Sequence, residues 1–154
     1  MRFGLFVATW GYLGYVPVAP GTFGSAAGLI LFAAIRWSGS TALELVAIAV
    51  LLILGVWSGN QAEKHFGRTD PGPVVIDEVA GILITLALVP VTFWGAVLGF
   101  LIFRLFDVIK PWPANRFEAL HGGLGVMADD AMAAVYGNLA LRLCILVAPA
   151  GWLV

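Results

Sequence analysis

The sequence predicts an all-α integral membrane bundle, a single domain over residues 1–154 with about five membrane-embedded helices and its polar loops gathered at one end. Three observations carry that expectation. Charged residues make up 11% of the chain, less than half the share of about 25% in an average soluble domain, while 61% are hydrophobic. Mean hydropathy is +0.99. The apolar residues also fall in long runs, one of which, Val79 to Phe103, covers 25 residues where a membrane span needs about 20.

Residues 3–19 are apolar but broken by Gly4, Gly11, Gly14 and Pro17, which predicts an interfacial or re-entrant segment. One Arg precedes a stretch that runs into Gly and Pro, so no cleavable leader is expected. A corner at Pro20-Gly21-Thr22 leads into a helix over about 23–36. Trp37-Ser38-Gly39-Ser40 is a turn, and Ser40 or Thr41 caps a second helix reaching about His65. Gly67, Pro71, Gly72 and Pro73 mark residues 66–76 as a loop.

The run from Val79 to Phe103 can be one span or a hairpin. A single span would strand Asp77-Glu78 and Arg104/Asp107 on opposite sides of the bilayer. Pro90 lacks a backbone donor and biases Val89 away from helix. A hairpin is therefore expected, with helices over about 77–89 and 93–110, the second ended by Pro111. The last helix is expected to begin at Asp129 or Asp130 and run to about Val147, before Pro149.

This arrangement gathers Thr22, residues 63–78, residues 104–118 and Asp129-Asp130 at one end. Eight of the nine acidic residues lie there, Glu44 being the exception, together with Lys64, Arg68, Arg104, Lys110 and Arg116. Short loops rich in Lys and Arg stay cytoplasmic, so the charged end is expected to face the cytoplasm. The net charge of -1 offers no basic field for nucleic acid. Cys144 stands alone, which excludes an internal disulfide, and reads as a buried, inert thiol.

Six acids, Asp70, Asp77, Glu78, Asp107, Asp129 and Asp130, sit against or within apolar runs. A carboxylate beside hydrocarbon is costly unless paired or metal-bound. Asp77 and Glu78 at a helix start meet the positive end of the helix dipole, which accounts for one acid more easily than for two. Paired hard oxygen ligands suit Mg²⁺. Arg104, Asp107 and Lys110, three residues apart, descend one helical face. Arg104 and Asp107 can pair with each other, leaving Lys110 unmatched, or the three can hold a phosphate beside a metal ligand. The stretch His121-Gly122-Gly123-Leu124-Gly125 can present free N–H groups to an anion ahead of Asp129-Asp130. One of those aspartates can cap the helix, and metal gives the other a reason. Gly21-Thr22-Phe23-Gly24-Ser25 can let helices approach closely, or Thr22 or Ser25 can reach a phosphate. His65 and His121 read as interfacial polar residues, and the six Trp as belt and packing residues.

Four ordered blocks then carry a resemblance. They are Pro17 to Ser25, Val74 to Gly81, Phe103 to Pro113 and Gly122 to Asp130. From about residue 11 to 138 the chain resembles the phosphatidylglycerophosphatase A family of bacterial membrane lipid phosphatases. The resemblance implies a bacterial inner-membrane enzyme that removes the terminal phosphate of phosphatidylglycerophosphate, giving phosphatidylglycerol and inorganic phosphate, and that requires Mg²⁺. The family's acidic block matches at Asp77 and Glu78, its mixed block at Arg104, Asp107 and Lys110, and its paired acids at Asp129 and Asp130. Two departures stand out. Ala133-Ala134 replaces a usual Ala-Gly, and Pro90-Val91-Thr92-Phe93-Trp94 stands where members often carry a polar linker.

The expected catalytic residues are Asp77, Glu78, Asp107, Asp129 and Asp130. Asp77, Glu78, Asp129 and Asp130 are the expected metal ligands, and Arg104, Lys110 and Thr22 the expected contacts of the substrate phosphate. A cation transporter or channel is the rival, since intramembrane acids also mark ion pathways. Transport sites tend to lie near the midplane, whereas these acids cluster at one end beside two cations.

Overall fold

The computed structural model describes residues 1–117 and 119–154. The helices run in the order α1 (Arg2–Ala8), a 3-10 turn (Leu13–Tyr15), α2 (Pro20–Trp37), α3 (Thr41–Phe66), α4 (Ile76–Leu86), α5 (Phe93–Ile109), α6 (Ala114–Phe117) and α7 (Gly123–Val147), with no strand among the described residues. The bundle is all-helical, as the composition predicts. α3 and α7 are long and apolar enough to cross a membrane, so two helices meet that criterion where about five embedded ones were expected. Ile30 on α2, Ile53 on α3, Leu101 on α5 and Leu143 on α7 all project outward into the surroundings.

The helix ends follow local chemistry. Ser40 Oγ accepts from Leu43 N at 3.2 Å and Thr92 Oγ1 from Gly95 N at 3.2 Å, each occupying an amide that has no partner within the first helical turn. α3 ends on Gly67 in the left-handed region, at φ 67°. α2 starts at Pro20 rather than at about 23, because proline's fixed φ and missing N–H suit the first helical position. Residues 3–19 resolve into α1 and the 3-10 turn. α4 stops at Leu86, three residues before the expected end, and Leu88 takes φ 59°. The largest displacement is α7, which begins at Gly123, six residues ahead of Asp129.

α4 is the centre of the molecule. Apart from the half-buried Glu78 and Ile84, all of its residues are buried. Glycines bring its neighbours close: a Cβ on Gly28 of α2 would lie 2.9 Å from Ile82 Cβ and 3.0 Å from Val79 O. Gly81 of α4 receives the Phe103 ring of α5 in the same way. Small residues at helix crossings allow this approach, and Gly24, whose Cβ would lie 2.8 Å from Val75 Cβ, realises the packing reading of Gly21-Thr22-Phe23-Gly24-Ser25.

The hairpin of α4 and α5 is confirmed, and its unwound turn is satisfied from three sides. Asn138 Nδ2 donates to Ile84 O, Thr85 O and Ala87 O at 3.2, 2.9 and 3.0 Å. Arg142 Nη2 donates to Ala87 O at 3.2 Å, and Arg36 Nη2 to Val89 O at 3.1 Å. Glu44 accepts from Leu88 N at 3.1 Å and pairs with Arg36 at 3.5 Å. Non-helical backbone at membrane depth is tolerated only where protein groups replace water. Glu44, the acid that stands apart from the others in sequence, is thus accounted for. Asn138→Leu keeps the branching of the side chain and removes the donor, so it is expected to destabilise the fold by about 1–3 kcal/mol. A thermal unfolding midpoint in detergent equal to that of the unaltered protein would refute this brace.

Candidate active site

Five helix ends converge opposite that turn. α4 enters with Asp77 and Glu78 in its first turn, α5 leaves with Arg104, Asp107 and Lys110, and α7 brings Asp129 and Asp130 from its second turn. α2 contributes Gly21, and the protruding end of α3 contributes Asn60 and Glu63.

Asp77, Glu78 and Asp130 each present a carboxylate oxygen, and the three oxygens lie within 4.8 Å of one another. Asp77 and Asp130 are only 6% and 4% exposed. Glu78 Oε2 is buried without a hydrogen-bond partner among the described residues. These features fit a hard cation. Mg²⁺ prefers one or two carboxylates completed by water and substrate phosphate, so these closely set carboxylate oxygens are of the kind that would hold it. The orphaned Glu78 oxygen is an acceptor that a cation would satisfy.

Asp129, the fourth expected ligand, lies apart from this trio. Its Oδ2 pairs with Lys110 Nζ at 2.5 Å. Lys110 is therefore matched, where the sequence left it unmatched. Arg104 and Asp107 form their i, i+3 pair at 2.6 Å, and the same Nη1 lies 3.8 Å from Glu78 Oε1. The cluster thus sets five carboxylates against two cations, and such an excess of buried negative charge is costly without a further cation.

The remaining expected positions divide. Thr22 is exposed in the first turn of α2, one residue from Gly21. Ser25 is buried and donates to Gly21 O at 2.9 Å, which removes it as a phosphate contact. Asp70 is exposed on the loop before α4, with its N–H donating to Glu63 Oε1 at 3.3 Å. His65 and His121 are exposed. Cys144 is half-buried rather than buried.

The glycine-rich stretch is not an anion loop. Glu63 Oε2 accepts from Gly122 N at 2.8 Å and Asn60 Oδ1 from Gly123 N at 2.9 Å, so α3 caps α7 from outside its own chain segment. A Cβ on Gly123 would collide with the Val56 carbonyl oxygen, so glycine is required for the crossing of α3 and α7. Asp129 and Asp130 consequently lie inside the helix and cap nothing. The sequence placed Glu63 at this end and Gly21 in a close-packing stretch, but Asn60 carried no signal, and neither the Gly122 cap made by Glu63 nor the contact of Gly21 with Glu78 and Arg104 was legible.

A family profile described as phosphatidylglycerophosphatase A matches residues 6–145. A Haemophilus influenzae protein named phosphatidylglycerophosphatase A is 38% identical over 83% of this chain and 80% of its own length. The Escherichia coli protein of the same name is 39% identical over 79% of this chain and 72% of its own length. A Bacteroides thetaiotaomicron protein, provisionally named a phosphatidylinositol-3-phosphatase, is 36% identical over 92% of this chain and 89% of its own length. No solved structure matches the chain.

Proposed function

Because the chain belongs to the phosphatidylglycerophosphatase A family, a family of lipid phosphatases, we propose that it hydrolyses the terminal phosphate of phosphatidylglycerophosphate in a Mg²⁺-dependent reaction. The observation that supports the metal is the trio of buried Asp77 and Asp130 with half-buried Glu78, whose Oε2 is buried and unpartnered among the described residues. When bound there, Mg²⁺ supplies positive charge that polarises the phosphoryl oxygens.

The chain's own residues supply the rest. Arg104 commits Nη1 to Asp107 and Glu78, which leaves the donors on Nε and Nη2 for a phosphoryl group whose charge spreads over its oxygens in the transition state. Lys110 adds a second cation, held in place by Asp129. In this role Asp107 and Asp129 orient the two cations, and Thr22 offers a hydroxyl at the rim. Attack by water and passage through a phospho-aspartate on one of these carboxylates are both compatible with the arrangement. The protein sits in the bacterial inner membrane with this end toward the cytoplasm, where Lys64 lies in the last turn of α3, Arg68 on the connection to α4 and Arg116 in the short α6. Cation transport fits less well, since Arg104 and Lys110 contact the acids directly and oppose a passing cation.

Phosphate release by the purified protein in detergent tests this. Release from phosphatidylglycerophosphate with Mg²⁺, and its loss in excess EDTA, is expected. The Bacteroides relative's name makes phosphatidylinositol 3-phosphate the second substrate to assay. Faster release from that lipid would reassign the substrate, and release from neither by folded protein would remove the phosphatase assignment.

A further inference from the structure

We propose that the cleft between α2 and α5 binds one acyl chain of the lipid whose head group enters the carboxylate site, an inference that rests on the lipid phosphatase reading above. α2 and α5 both pack on α4, and they come together at the site, where a Cβ on Gly21 would press on both Glu78 Oε1 and Arg104 Nη1. Further along the same two helices lies an apolar cavity of about 430 Å³, with Leu29, Phe32 and Ala33 on one wall and Ala96 and Val97 on the other.

Its distance from the site suits a chain rather than a head group. From Gly21 to Leu29 is eight residues of α2, about 12 Å, and from Arg104 back to Val97 is seven residues of α5, about 10 Å. A phosphate near Arg104 would therefore leave the glycerol to cross the interval and the hydrocarbon to reach the cavity. Arg36 borders the far end, but Glu44 and Val89 O hold its guanidinium, so its charge is compensated. The two helices thus offer cations at one end and hydrocarbon at the other, which matches the polarity of an anionic lipid. A second apolar cavity, between Phe6, Trp10, Leu54 and Ile76, is lined from α1 and the turn after it, α3 and the start of α4, with no residue of α2 or α5, the helices whose near ends meet at Gly21 and Arg104. Binding the chain would draw on a remote, non-reacting part of the substrate to hold the reacting group in place.

Ala33, exposed on α2, and Ala96, half-buried on α5, permit filling of the cleft from either side. The test compares kcat/KM for dioleoyl and dihexanoyl phosphatidylglycerophosphate in one detergent, for the unaltered protein, Ala33→Phe and Ala96→Phe. Loss of contact over two or three methylenes is expected to lower the dioleoyl value about tenfold while the dihexanoyl value changes little. An unchanged ratio of the two values in both variants would overturn the proposal. Photolabelling of the unaltered protein by phosphatidylglycerophosphate with a diazirine at mid-chain gives an answer that does not depend on the variants. Adducts concentrated at residues 29–33 and 96–97 support the cleft. Adducts at Phe6, Trp10 and Leu54, or spread along α3, overturn it. Absence of phosphate release from both substrates would count against the phosphatase reading, and the photolabel would still decide the cleft.

Discussion

Asp130→Asn is expected to lower Mg²⁺-dependent phosphate release about a thousand-fold, the equivalent of the several kcal/mol that a metal contributes to stabilising transition-state charge. Asn preserves the shape of a side chain that is 4% exposed and removes one of three crowded negative charges. The variant should therefore fold at least as well as the unaltered protein without metal. A second readout separates loss of the metal from general damage. Mg²⁺ bound only by the folded state raises the unfolding midpoint by mass action, so the midpoint of the unaltered protein should rise with Mg²⁺ and that of Asp130→Asn should not. Asp129→Asn provides the contrast. It breaks the pair with Lys110, so activity should fall while the Mg²⁺-induced rise persists. Near-normal activity in Asp130→Asn, together with loss of the Mg²⁺ response in Asp129→Asn, would move the metal to Asp129 and overturn the trio.

Gly21→Ala is expected to cost about a hundredfold in turnover with almost no change in stability. The added Cβ would collide with Glu78 Oε1 and stand 3.0 Å from Arg104 Nη1. The displaced atom ends a flexible side chain, so the fold can yield cheaply. Glu78 cannot yield without leaving its position beside Asp77 and Asp130, and misplacement of a reacting constellation by about an ångström costs on the order of a hundredfold. Gly123→Ala makes the opposite case, because there the clash is with the backbone of Val56 and the α3–α7 crossing itself must open. Activity in Gly21→Ala within a few-fold of the unaltered protein would show that Glu78 needs no fixed position.

Much of this molecule is set by chemistry local in sequence. Ser40 and Thr92 are helix caps by type and position, and both act as such. Pro90 and the need to bring Asp77-Glu78 back to Arg104 and Asp107 pointed to a hairpin, which the break between Leu86 and Phe93 confirms. Clustering of the acids at one end followed from that hairpin. The start of α7 was not legible, because glycines in a row read as a loop. They stand there to let α3 approach, and the amides of Gly122 and Gly123 are capped by Glu63 and Asn60, about 60 residues away in sequence.

The pairing of the charged residues also lay outside local reach. The i, i+3 spacing permitted Arg104 to meet Asp107, but nothing in the sequence tied Lys110 to Asp129 rather than to a phosphate. Glu44 stood out only as the acid away from the charged end, and its partner Leu88 N becomes available only when α4 stops short. By itself the sequence determined the class of fold, the order of the helices and the set of groups that could do chemistry, since hydrophobic runs, caps and charge types act over a few residues. Only the tertiary structure decided which three carboxylates share one space, which acids are neutralised by cations and which glycines make room, because those outcomes depend on distances between helices that no local spacing encodes.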